Sequence, residues 1–174
     1  MKEPLEHWYV AYTRSCQDRN VAEALSKAGY ECYFAVQTVL HKWSDRVKKI
    51  RKPVIPRVVF VRCTEERRRD SLKAFPYIVK YLSKGEGAYA PAIVPDDQIA
   101  LFRAMVEGDS EVRIAPASFR PGDMVRIKEG PLAGKEAEIC EVDGSTCIMA
   151  RLAILGTAMI KIERDKIELI QNNQ

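Results

Sequence analysis

Residues Phe119 to Gly134, FRPGDMVRIKEGPLAG, leave a chain few ways to fold. Pro121-Gly122-Asp123 sets a turn, and Val125 and Ile127 then alternate with Arg126 and Lys128, the pattern of a half-buried strand. A second turn follows at Gly130-Pro131 and a third at Gly134. A short strand held between tight turns is the opening of a small SH3-like barrel. Downstream the chain reads only as strands, with Asp143-Gly144 as a two-residue hairpin turn.

Upstream the pattern changes. Trp8 to Thr13, WYVAYT, is aromatic and β-branched and reads as a strand. Ser15 to Ala28 carries Val21, Ala24, Leu25 and Ala28 on one helical stripe, with Gly29 placed to end it. Glu31 to Trp43 is strand-like, and after the charged turn Ser44-Asp45-Arg46 a second strand runs through Val47–Lys52. Val58-Val59-Phe60-Val61 is apolar throughout, as suits a central strand covered on both faces. Glu65 to Phe75 has helical composition, Ile78 to Leu82 is a short strand, and Ser83 to Ala90 is a loop. Pro95-Asp96-Asp97 then opens a helix whose apolar face is Ile99, Phe102, Met105 and Val106.

The order β-α-β-β-α-β-α describes an α+β sandwich, helices packed on a mainly antiparallel sheet. Gly108 to Pro121 has the composition of a linker. Two domains are therefore expected: α+β over 1–108, a linker over 109–116, and all-β over 117–174.

Composition narrows function. An apolar share of 47% fits a globular protein, and no apolar run approaches the ~20 residues that cross a bilayer. MKEPLEHW lacks a signal-peptide core, so the protein is expected in the cytosol. No membrane partner is expected, and the chain is expected to be a monomer. Five cysteines (16, 32, 63, 140, 147) form no CxxC pair, and with only His7 and His41 beside them no metal site is expected. They read as reduced, buried thiols. The net charge of +4 is unevenly spread: between His41 and Arg69 eleven lysines and arginines face three acids. Charge alone leaves two readings open, contact with a polyanion or a solvated hairpin whose lysines protect a sheet edge.

Covalent chemistry finds no support. Gly130 to Glu136, GPLAGKE, approaches a P-loop, but has three residues where that loop needs four. Glu136 also stands where a hydroxyl should hold magnesium, and its carboxylate would repel phosphate. Gly85-Glu86-Gly87 lacks the strand–turn–helix setting of a dinucleotide site. No enzyme activity and no cofactor is expected.

The phrase from Phe119 to Gly134 resembles a KOW motif, found in modules that bind nucleic acid or protein. With it come Trp8-Tyr9-Val10, the string Pro53–Val61 (PVIPRVVFV), Pro91-Ala92-Ile93-Val94-Pro95 and Ile154-Leu155-Gly156. Five such pieces in this order make the chain similar to the NusG family over nearly its whole length. Lys42-Trp43-Ser44-Asp45-Arg46 followed by Lys48-Lys49 resembles the specialised UpxY-type paralogues, antiterminators of long polysaccharide operons. The family string is usually PGYVFV; here Arg57 and Val58 replace Gly-Tyr. Where the family has a further KOW glycine, this chain has Ala137.

The resemblance implies an NGN-type domain that docks on the clamp helices of RNA polymerase, joined to a KOW barrel. By position, the docking pocket would be lined by Tyr12, Ile55, Val58, Phe60, Tyr81 and Phe102. Taken without the family these are core residues; the two tyrosines best suit an interface, an apolar ring with a wet hydroxyl. Arg67, Arg68, Arg69 and Lys73 lie where relatives approach non-template DNA, and Lys48 and Lys49 would face upstream DNA or nascent RNA. The competing reading of the helix is a solvated face in which Glu65 and Glu66 pair with Arg69. Ile154, Leu155 and Gly156 match the loop that in relatives contacts a small-subunit ribosomal protein or Rho. The implied function is elongation and antitermination, by bracing the polymerase in its elongating state. Two rivals stand beside it, an RNA-binding KOW protein of the translation machinery and a protein–protein adaptor. Ribosomal proteins usually carry more charge than this, on extended tails.

Overall fold

A computed structural model describes residues 5–84, 90–108, 110–115, 122–142 and 144–170. The Gly85-Glu86-Gly87 loop, Phe119 to Pro121 and Asp143 lie outside the described residues. In chain order the elements begin with β1 (His7–Thr13), α1 (Asp18–Lys27), β2 (Glu31–Tyr33), β3 (Val36–Lys42) and β4 (Val47–Pro53). Next are β5 (Val58–Cys63), α2 (Glu65–Ala74), β6 (Ile78–Tyr81), β7 (Ile93–Val94) and α3 (Asp96–Glu107). Strands β8 (Arg113–Ala115), β9 (Met124–Ile127), β10 (Glu136–Val142), β11 (Ser145–Arg151), β12 (Thr157–Lys161) and β13 (Ile167–Leu169) complete the chain, with short 3-10 turns at Ala153–Leu155 and Arg164–Lys166.

The chain divides into two units, Met1–Ala35 with Ile55–Asp96, and Val36–Val54 with Asp97–Gln174. In the first, antiparallel strands run in the order β2-β5-β1-β6, and β7 also pairs with β1. The apolar run Val58–Val61 is buried along its length, as its lack of alternation predicts. Period two divides β1. Tyr9 and Ala11 join Val21 and Leu25 of α1, Val59 and Val61 of β5, and Ile78 and Tyr81 of β6 in one core. Trp8, Val10 and Tyr12 alternate with them and so face the other side, where the register sets Tyr12 beside Val58 and Val10 beside Phe60. Helix α1 ends where expected, at Gly29 with φ 78°. Helix α2 is capped by Thr64, whose hydroxyl accepts from the Arg67 N–H.

In the second unit six strands run in the order β13-β9-β10-β11-β12-β8, and β3 and β4 form a separate hairpin. Val125 and Ile127 are buried and Arg126 is exposed, as the alternation predicts. Gly122 approaches β10 so closely that a Cβ would lie 1.5 Å from the Ile139 carbonyl oxygen. That contact, more than turn geometry, explains a glycine here.

Three expectations differ from what is seen. The strand read across Glu31–Trp43 is two strands, β2 pairing with β5 and β3 with β4. The segment read as a linker over 109–116 contains β8, which pairs with β12. The hairpin and α3, expected with the first domain, group with the C-terminal strands. Two side-chain amides bond within this unit. Buried Gln37 of β3 donates to the Val112 carbonyl and accepts the Val112 N–H, while Gln98 of α3 accepts the Arg151 N–H at 2.8 Å. Ala137, in the place of the family glycine, lies in β10 opposite Val125 and makes no turn.

Candidate functional site

Three regions of the described structure carry side chains singled out from the sequence: the end of β1 beside the 55–58 segment, the outer face of α2, and the β3–β4 hairpin. At the first, Asp18 opens α1 and is buried. Its carboxylate accepts the Thr13 hydroxyl at 3.3 Å and the Arg57 N–H at 2.8 Å. Arg57 is held at φ 64°, a left-handed conformation that favours glycine. Its Nε donates to the Thr13 carbonyl at 3.1 Å, and its guanidinium lies 4.4 Å from the centre of the Tyr12 ring. Arg57, standing where the resemblance has glycine, therefore takes a glycine-like backbone and lays a cation over the tyrosine. Sequence reasoning singled out the replacement but not its partner, since Thr13, Asp18 and Arg57 meet only through the β1–β5 pairing.

Of the six residues expected to line one pocket, Tyr12 and Ile55 are half-buried, whereas Val58, Phe60, Tyr81 and Phe102 are buried. Phe102 lies on α3, in the second unit. Tyr81 does not share a face with Tyr12. It pairs with Ala11, one residue before Tyr12, and strand alternation turns it into the core with Val21 and Leu25 of α1. There its hydroxyl hydrogen-bonds with that of Ser71 at 2.7 Å, and burial pushes its phenol pKa upward. Tyr81 is a core residue. In sequence Val79 and Tyr81 share a parity, yet Val79 is exposed and Tyr81 buried, because the β1–β6 register shifts at Tyr12/Thr13 and leaves Val79 unpaired.

The four cations of α2 separate by role. Arg68 makes a bidentate pair with Glu65 at 2.7 Å and sits 5.6 and 5.3 Å from the rings of Tyr9 and Tyr81. The Arg68 hydrogen bond holds the Glu65 carboxyl at about 2, well below the usual carboxylate range. Arg67 stacks on Tyr30 at 4.2 Å and donates to the Gly29 carbonyl. Both arginines are half-buried, with their guanidinium groups anchored on aromatic rings. Arg69 is exposed and pairs with Glu65 at 3.0 Å, and Lys73 is exposed one turn on. Only the last two present charge to solvent without an aromatic or backbone anchor of their own.

On the hairpin, Lys42, Arg46, Lys48, Lys49, Arg51 and Lys52 are all exposed, and Asp45 is the one acid among residues 42–52. Trp43 at the turn is 57% exposed, edge-on to His41 with ring centres 5.4 Å apart and with Arg46 6.0 Å above. In the 3-10 turn after β11, Ile154 is 48% exposed, Leu155 half-buried and Gly156 buried. Among the described residues no His, Cys, Asp and Glu cluster could hold a metal ion, and no helix is long and apolar enough to cross a membrane.

A family model described as the transcription termination factor nusG matches residues 6–103. That range takes in Tyr12, Arg57, all of α2 and the whole hairpin. A solved structure of Thermotoga maritima NusG, titled for its domain interaction, is similar at 19% identity over 96% of this chain and 98% of that one, with a TM-score of 0.46. The MjSpt4:Spt5 complex is similar at 14% identity in two forms. Conformation A covers 94% of this chain and 98% of that one with a TM-score of 0.32; conformation B covers 96% and 99% with 0.28.

Proposed function

The chain belongs to the NusG family of transcription factors, and from that membership we propose that it is an elongation and antitermination factor serving particular operons of the polysaccharide type. In this reading the first domain is of NGN type and docks on the clamp helices of RNA polymerase through the surface around Tyr12 and Ile55. Arg69 and Lys73 of α2 contact non-template DNA through its phosphates, giving affinity without reading sequence, and Lys48 and Lys49 of the hairpin face upstream DNA or nascent RNA. The C-terminal strands form a KOW barrel, whose Ile154–Gly156 turn offers an exposed isoleucine to a small-subunit ribosomal protein or Rho.

The observation that carries the proposal is the family match over 6–103, which contains both the Tyr12 surface and the exposed cations. The mechanism is a shift of balance. A factor bound to clamp and DNA favours the elongating polymerase over the paused one only by its difference in affinity for the two. A difference of about 1.4 kcal/mol changes that ratio tenfold.

Run-off transcription past a pause or terminator, with and without the protein, tests this. Increased read-through and co-purification with polymerase are expected. Unchanged read-through together with co-purification with ribosomes would favour a translation-machinery protein instead.

A further inference from the structure

We propose that the β3–β4 hairpin binds a single-stranded DNA segment, with Trp43 stacking on an unpaired base and the surrounding lysines and arginines holding its phosphates. The inference deepens the DNA contact proposed above and rests on that reading for the identity of the polyanion.

The hairpin turn brings together two chemistries. A large aromatic ring is expensive to leave in water, yet Trp43 is 57% exposed, with the edge of His41 and the more distant Arg46 beside it. The register places Lys42 opposite Val47, His41 opposite Lys48 and Leu40 opposite Lys49. Cations therefore stand on both faces of the ribbon within a few residues of the ring. Six cations against one acid over residues 42–52 set up a field that attracts a polyanion.

A duplex satisfies only half of this arrangement, because its bases are already stacked on one another. An unpaired strand satisfies both halves. Each base offers a π-face to Trp43, and the backbone offers phosphates to Lys42, Lys48, Lys49 and Arg51. The contact needs no particular base. Leu40 and Val47, 67% and 58% exposed, add apolar surface beside the lysine stems.

The full chain would be titrated against fluorescein-labelled dT12, its duplex and rU12 at several salt concentrations, by anisotropy. The protein has two tryptophans, of which Trp8 is buried, so quenching of the exposed Trp43 emission gives a second readout. Tight, salt-sensitive binding of dT12 is expected, with the duplex weaker and rU12 no tighter. Trp43→Ala should weaken dT12 binding about tenfold and Trp43→Phe less, while Lys48→Ala should flatten the logarithmic salt slope by about 0.7. The emission of buried Trp8 verifies that each variant is folded.

Duplex bound as well as dT12, tighter binding of rU12, or no effect of Trp43→Ala would each overturn the inference. The run-off assay separates it from the proposed function. Loss of stacking with read-through intact in the wild type counts against the hairpin alone, whereas absent read-through with dT12 binding intact counts against the antitermination reading.

Discussion

Arg57 sits where most side chains avoid sitting, and its surroundings explain how. A left-handed non-glycine residue costs about 1–2 kcal/mol. Its N–H bond to Asp18, its Nε bond to Thr13 and its stacking on Tyr12 offset that cost. Arg57→Ala keeps the strain and loses the stacking, so urea unfolding should show a loss of about 1–2 kcal/mol. Arg57→Gly relieves the backbone and should come out near neutral, while uncovering the Tyr12 ring. Glu65 gives a second residue-level test. Its carboxyl is depressed to about 2 in the folded protein, chiefly by the Arg68 hydrogen bond, from an ordinary value near 4.5. The stability it contributes is present in full above the ordinary value and is lost as pH falls from there through about 2. Urea midpoints measured between pH 5 and pH 2 should therefore fall less steeply in Glu65→Gln than in the wild type. Glu65 is partly solvated, so the difference will be modest.

At the scale of elements, spacing in the sequence and contact in the structure answer different questions. The alternation at Val125 and Ile127 and the apolar run of β5 predict their burial correctly, because each depends only on local period. Gly122 reads as a turn residue, yet its sharper constraint is the Ile139 carbonyl on a strand seventeen positions on. Gly122→Ala should cost more than about 3 kcal/mol, since backbone and not a flexible side chain must move. Thermal unfolding of the variant measures it; a change under ~1 kcal/mol would show that the strands part easily. Helix α2 teaches the same lesson in charge. Its Arg-Arg-Arg run looks uniform, but residues 67 and 68 turn toward Tyr30, Tyr9 and Tyr81, and only Arg69 of the three is left exposed.

For the whole molecule, that division dictates how its DNA contact should be probed. Reversing all three arginines would disturb the core of the first unit and confuse folding with function. Arg69→Glu with Lys73→Glu changes only exposed charge, so polymerase docking should survive while DNA-dependent read-through falls; equal loss of both would argue against separate surfaces. The amino-acid sequence by itself determined the alternation of helices and strands, the turns, the basic segment and the family, all of which rest on short-range period, turn chemistry and motif order. Only the tertiary structure decided which tyrosine is accessible, which arginines are structural, and where the chain divides. Each of these depends on which face of an element another element covers. Tyr81 enters the core because β6 pairs with β1 one residue away from Tyr12, and the hairpin groups with the C-terminal strands, where Gln37 is buried against Val112. Pairings across such distances leave no local period in the chain, so folding alone settles them.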